Sequence, residues 1–139
     1  MKNAFPFHLS LPCTSIGRTK DFYLNVIGAQ LGRNTTQWLD INLFGNQITY
    51  TKSGEFNFMS KPYKLEDHVL PSFHFGVIVD RKTWDMLHSK ISAVMNESIT
   101  AVTFLTGKKG EHTSFFVTDP NGHTLEFKTF LKNKETFAQ

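Results

Sequence analysis

The chain has 139 residues, enough for one ordinary domain with a real core, and its 40% apolar and 19% charged residues are those of a globular protein. Its net charge of +3 comes from 15 basic residues that are scattered, apart from Lys108-Lys109 and the lysines near the C-terminus, so there is no basic stripe for nucleic acid and no apolar run long enough to span a bilayer. The single Cys13 excludes an internal disulfide framework and Cys-rich zinc sites, and "MKNAFPFHLS" lacks the apolar stretch of a signal peptide, so the expectation is a cytoplasmic protein without nucleic-acid or membrane partners.

The first stretch, "AFPFHLSLP", alternates: Phe5, Phe7, Leu9 and Leu11 point one way, and His8 and Ser10 the other. A helix follows in "TSIGRTKDFYLNVIG", with Thr14 or Ser15 as N-cap, Ile16, Phe22, Tyr23, Val26 and Ile27 as its apolar stripe, and Gly28 as its stop. "TTQWLDINLFG" alternates again, with Leu39, Ile41 and Leu43 on one face and Trp38, Asp40 and Asn42 on the other. Gly45-Asn46 then reads as a hairpin turn into "QITYT". Residues 53–71 hold two prolines and no clear period, and read as a loop or linker.

The pattern then restarts. In "PSFHFGVIVD", Phe73, Phe75, Val77 and Val79 share one face, and His74, Gly76 and Ile78 the other. "RKTWDMLHSKISAVM" follows as a helix with Trp84, Leu87, Ile91 and Val94 at helical spacing. "AVTFL", "TSFFVT" and "HTLEFKTF" supply further strands, the last two joined by the tight turn "DPNG". Phe7-His8 matches Phe73-His74 at an offset of 66, so the chain reads as one domain of two similar modules, each a strand, a helix and about three more strands.

Both repeated histidines lie opposite the apolar, helix-facing residues. Glu126 has the same phase, since Leu125 and Phe127 face the core while Thr124, Glu126 and Lys128 face away. Two histidines and a carboxylate on neighbouring strands form the facial triad that holds Fe(II) or a similar divalent ion with open positions, and such an ion is one reason to keep a carboxylate in a cavity. His112, just before "TSFF", is the candidate acid/base beside that site. His68 and His88 read as surface residues and His123 as exposed in its turn, while Tyr50 fits either core or pocket.

"FHLSLP", "DFYLNVIGAQLGR", "WLDINLFGNQITY", "FHFGVIVD" and "TSFFVTDPNGHTLEFKTF" together resemble the vicinal oxygen chelate superfamily, which includes glyoxalase I, extradiol dioxygenases, and fosfomycin and bleomycin resistance proteins. The resemblance runs from about residue 5 to 131, and "WLDINLFGNQ" with the Gly110-Glu111 pair is similar to an extradiol-dioxygenase-related branch. It implies an α+β fold of two βαβββ modules forming a half-open barrel around a metal, with module one at about 4–60, a linker at about 53–71 and module two at about 72–131. It also implies that His8, His74 and Glu126 are the metal ligands.

Aligning "QITYT" with "EFKTF" sets Gln47 opposite Glu126, which makes Gln47 a pocket residue rather than a fourth ligand. Asn46 and His112 stand where that branch carries histidine and glutamine. The activity implied is an Fe(II)-dependent dioxygenase acting on a small aromatic or catecholic substrate. Ni, Zn or Mn would point instead to a glyoxalase-like isomerase, lyase or thiol transferase, and loss of the metal to an antibiotic-sequestering binding protein. Phenylalanines of the inner face could pack an aromatic ring, and Arg33, Lys108 or Lys109 could pair with an anionic group, although a solvated surface is the commoner fate of such residues. Related folds form dimers, so a homodimer is compatible with the resemblance.

Overall fold

Each alternating run forms a strand in the computed structural model, which describes residues 5–57 and 59–138. The chain divides into two compact units, Met1–Asn57 and Phe58–Gln139. The first contains β1 (His8–Cys13), α1 (Ile16–Asp21), a π-helical turn (Phe22–Ile27), β2 (Gln30–Asn34), β3 (Trp38–Leu43) and β4 (Asn46–Lys52). The second contains β5 (Tyr63–Leu65), β6 (His68–Leu70), β7 (Phe75–Ile78), α2 (Arg81–Met95), β8 (Val102–Phe104), β9 (His112–Thr118), β10 (Thr124–Phe130) and a short 3-10 turn, Asn133–Glu135. Among the described residues no helix is long and apolar enough to cross a membrane.

The two units repeat one topology. The sheet orders are β1-β4-β3-β2 and β7-β10-β9-β8, with the first pair parallel in each and the remaining pairs antiparallel. A parallel pair cannot be closed by a tight turn, and the helical segment after β1 and after β7 is part of the crossover it requires. Each four-stranded sheet with its helical crossover is therefore a βαβββ module, and the chain is α+β.

In the first unit Ser15 caps α1, its Oγ accepting the Arg18 N–H at 3.3 Å. The π-helical turn buries Phe22, Tyr23 and Ile27. They meet the apolar face of the sheet, where Leu11, Cys13, Leu39, Ile41, Leu43, Ile48 and Tyr50 are buried. Fully burying a side chain of Leu or Ile size contributes about 1.5–3 kcal/mol, so this face fixes the register of the sheet. Phe5 and Phe7 do not join it. They precede β1 and are exposed. The hairpin between β3 and β4 turns on Phe44 and Gly45, with φ of 52° and 86°, one residue earlier than the sequence suggests.

In the second unit Asp80 caps α2, accepting the Thr83 N–H at 2.8 Å, and Trp84, Leu87 and Ile91 are buried while Val94 is exposed. The Trp84 Nε1–H donates to the Phe127 carbonyl at 2.9 Å and fastens the helix to β10. Residues expected to be a plain linker include the hairpin of β5 and β6. Strands of three residues are too short to carry a readable period, which is why the sequence pattern misses them.

Candidate functional site

Alternation along β10 places Leu125 and Phe127 in the core and turns Glu126 to the other face, where it is 8% exposed. A buried carboxylate needs partners. Glu126 Oε1 accepts the Ser114 hydroxyl at 2.6 Å, while Oε2 lies 3.2 Å from His74 Nε2 and 3.5 Å from Lys128 Nζ. His74 sits just before β7, with its Nδ1 2.8 Å from the Pro71 carbonyl and the edge of its ring against Phe116. A carbonyl only accepts, so Nδ1 carries a hydrogen and Nε2 is the nitrogen presented to Glu126.

The close approach of the two strands depends on Gly76, the register partner of Glu126. A Cβ at Gly76 would fall 1.7 Å from the Glu126 carbonyl oxygen. His74, Gly76, Glu126 and Lys128, with Phe75, Val77 and Ile78, line a cavity of about 200 Å³.

This pair fits a divalent metal. Two cis ligands at about 2.1 Å from an ion lie roughly 3 Å apart, close to the 3.2 Å seen here. A histidine held through Nδ1–H to a backbone carbonyl offers Nε2 as ligand, and a carboxylate steadied through its other oxygen is the usual outer support. Lys128 is a competing neutraliser. Among the described residues, no three His, Cys, Asp or Glu side chains are gathered into a metal-holding group, and His74 with Glu126 is a pair rather than a triad.

His8 belongs to the first unit, where it opens β1, is exposed, and pairs in register with Gln47. The same face carries Asp40, 5% exposed. Its Oδ1 accepts the Thr49 hydroxyl at 2.7 Å, and its Oδ2 accepts Arg33 Nε at 3.1 Å and Gln47 Nε2 at 3.2 Å. Burial pushes the Asp40 carboxyl up, but the hydrogen bonds from Thr49, Arg33 and Gln47 and the charge of Arg33 outweigh it and hold the group below its ordinary value. Arg33, Asp40, Asn42, Asn46 and Gln47 share a cavity of about 330 Å³ with Gly32, Ile41 and Gly45.

Strand register corrects one expectation. His8 pairs with Gln47 and Ser10 with Thr49, whereas Gly76, the repeat partner of Ser10, pairs with Glu126. The first-unit counterpart of Glu126 is therefore Thr49, not Gln47. Gln47 lines the first-unit cavity with Arg33 and Asp40. Tyr50 is wholly buried, its hydroxyl against that of Tyr23, and is a core residue rather than a pocket one.

The other histidines are spread out. His112 Nδ1–H donates to the Gly110 carbonyl at 2.8 Å, and the ring packs against Phe104 and Phe130. It lies four residues along β9 from Phe116, the partner of Glu126, which is roughly 13 Å at strand rise. There it lines a separate cavity of about 360 Å³ with Arg81, Thr103, Thr113 and Thr129. The structure thus sets His112 apart from the Glu126 cavity and from a role as its base.

His88 is half-buried, stacked on Trp84 with Nε2 2.7 Å from the Ile99 carbonyl, and His68 is half-buried against Phe104. His123, expected to be exposed in its turn, is 1% exposed, because Asp119 folds the turn back by accepting the Asn121 and His123 N–H groups at 2.8 and 2.9 Å. Sequence reasoning passed over Asp40, Ser114 and Gly76. Strand parity places Asp40 and Gly76 on the face opposite the apolar core.

Comparison with known families matches residues 6–127 to the Glyoxalase/Bleomycin resistance protein/Dioxygenase superfamily. No curated protein matches. Among solved structures, a glyoxalase/bleomycin resistance protein/dioxygenase from Alicyclobacillus acidocaldarius is 25% identical with a TM-score of 0.81, covering 99% of this chain and 100% of its own. FosX, a genomically encoded fosfomycin resistance protein from Listeria monocytogenes, is 14% identical with a TM-score of 0.66, covering 95% and 97%. A lactoylglutathione lyase from Agrobacterium tumefaciens is 13% identical with a TM-score of 0.64, covering 93% and 96%; at these last two identities the likeness is one of fold.

Proposed function

The chain belongs to the glyoxalase/bleomycin resistance protein/dioxygenase superfamily, and from that premise we propose that it is a divalent-metal enzyme whose ligands are His74, Glu126 and His8. The observation that carries this reading is the contact of His74 Nε2 with Glu126 Oε2 at 3.2 Å, each group supported from behind. His8 enters as third ligand on the sequence repeat that makes it the counterpart of His74. A bound metal, Fe(II) in the reading we favour, supplies a Lewis acid and open positions for a catechol-type substrate and O2.

The chain's own residues do the rest. Pro71 holds the His74 ring in one orientation through Nδ1–H, and Ser114 fixes Glu126 by Oε1 so that Oε2 is the oxygen presented. Gly76 lets β7 lie close enough to β10 for the two ligands to meet. Thr49 rather than a carboxylate at the first-unit counterpart of Glu126 favours three protein ligands over four, and so the dioxygenase over a four-ligand isomerase. The superfamily hosts many chemistries, so substrate rests on assay and not on fold.

A second reading has its own observation. Lys128 Nζ, 3.5 Å from Glu126 Oε2, already neutralises the carboxylate, as a metal-free binding protein would require. The deciding experiment is metal analysis of anaerobically purified protein beside His74→Ala and Glu126→Gln, followed by O2 uptake with a panel of catechols. One equivalent of iron, lost in both variants, with catechol-dependent O2 uptake supports the dioxygenase. Stoichiometric nickel, zinc or manganese without O2 uptake moves the reading to isomerase or transferase chemistry. No metal after reconstitution overturns the metal reading and leaves the binding protein.

A further inference from the structure

The first-unit cavity holds two charged side chains, and they are not equally available. Asp40 has a 7% exposed side chain and four donors: the Thr49 hydroxyl, Arg33 Nε and Nη2, and Gln47 Nε2. Arg33 has a 77% exposed side chain. A guanidinium carries five N–H donors in a planar fork. Nε and Nη2 are turned onto one Asp40 oxygen, which leaves Nη1 and the outer hydrogen of Nη2 without a partner among the described residues.

The guanidinium also lies over the Trp38 ring, 5.6 Å from its centroid, which restricts it from a second side. The neutral polar groups of the cavity are largely committed to the protein. Asn42 receives the Gly45 N–H and donates to Gln30, and Asn46 receives the Phe7 N–H and donates to the Leu43 carbonyl. The negative charge is sequestered, the amides are spoken for, and the accessible charge is positive.

An ordinary exposed ion pair lets both partners share solvent and contributes little. Here the carboxylate is buried and the cation faces a cavity of about 330 Å³. We infer that this cavity binds the oxyanion group of a small molecule, a carboxylate or a phosphate, through the free edge of the Arg33 guanidinium. Asp40, Gln47 and Trp38 are positioning residues that hold the fork. The site is built from first-unit residues, none of them among the proposed ligands His8, His74 and Glu126, and it is tested without metal, so its failure and that of the metal reading are separable.

The test is titration of full-length, metal-free, 15N-labelled protein at constant ionic strength with sodium benzoate, inorganic phosphate and neutral benzamide. The readouts are the Trp38 indole N–H and the Arg33 Nε–H. The expected result is a saturable shift of both signals with benzoate or with phosphate, whichever saturates identifying the group, and at least about tenfold weaker response to benzamide. Arg33→Gln abolishes the shift of Trp38. Arg33→Lys, which keeps the charge and loses the fork, weakens it and guards against a folding defect in the first variant. His74→Ala leaves it unchanged. Absence of saturation with both anions up to about 50 mM, benzamide binding as well as benzoate, or Arg33→Lys binding as tightly as the parent would each overturn the inference.

Discussion

The two units build the same sheet and bury one carboxylate on the same face of it, yet they treat the two carboxylates in opposite ways. Asp40 in the first unit is closed: both oxygens accept hydrogen bonds from the protein, from Thr49 on one side and from Arg33 and Gln47 on the other. Glu126 in the second is half-committed: Ser114 takes one oxygen, and the other faces an imidazole nitrogen and a lysine. Burial of a carboxylate is therefore no sign of a site by itself. What distinguishes Glu126 is the oxygen turned toward a second donor that a metal could share, and what distinguishes the Asp40 cluster is the cation it leaves outside.

The sharpest break in this comparison is at Gly76. No side chain fits between β7 and the Glu126 backbone, so Gly76→Ala forces apart the strands that bring His74 and Glu126 together. We expect a loss of about 3 kcal/mol or more in urea unfolding, the upper range for overpacking, together with loss of metal binding. The equivalent first-unit residue is Ser10, which already carries a side chain, so Ser10→Ala is expected to change stability by less than about 0.5 kcal/mol. If both substitutions were tolerated alike, the second sheet would lack the tight approach inferred for it.

Next in size is the effect on metal affinity. Glu126→Gln keeps the shape and the Ser114 contact but removes the charge, and metal binding measured by competition with a chromogenic chelator is expected to fall by roughly 100-fold or more. Asp40→Asn, the same change in the other unit, is expected to leave metal affinity within about twofold. Equal losses in the two variants would mean that the contrast between open and closed carboxylates is wrong. Ser114→Ala is gentler: His74 and Glu126 both remain and Glu126 loses its support, so metal affinity is expected to fall about tenfold.

Much of this contrast was readable in the sequence, because it rests on strand parity. A period of two placed His8, His74, Asp40 and Glu126 on the face away from the apolar core, and burial agrees for the apolar residues of β3 and β10. Register was not readable. Aligning β4 with β10 in isolation paired Gln47 with Glu126, and only the parallel neighbours β1 and β7 show that Thr49 is the counterpart. Nor was the fate of polar turn residues. His123 reads as exposed until Asp119 is seen to draw the turn back onto itself. His112 shares the parity of Glu126 but sits too far along the strand, and distance along a ladder carries no mark in composition.

The effect on Asp40 itself is the one whose sign is most constrained. Asp40 is held below its ordinary value of 3.8, so its ionised form is favoured by folding. That stabilisation is fully present above the ordinary value and is lost as pH falls from there through the lower folded value. Asp40→Asn lacks it at every pH. The two proteins should therefore differ by a constant amount in urea unfolding at pH 5–7, about 1.5–3 kcal/mol for hydrogen bonds to a charged group, and converge as pH drops below about 4. A difference that widened in acid would mean that Asp40 is strained rather than stabilised by its partners. The cation of Arg33 would then be held by a neutral group, and the closed carboxylate of the first unit would no longer explain why its arginine faces outward.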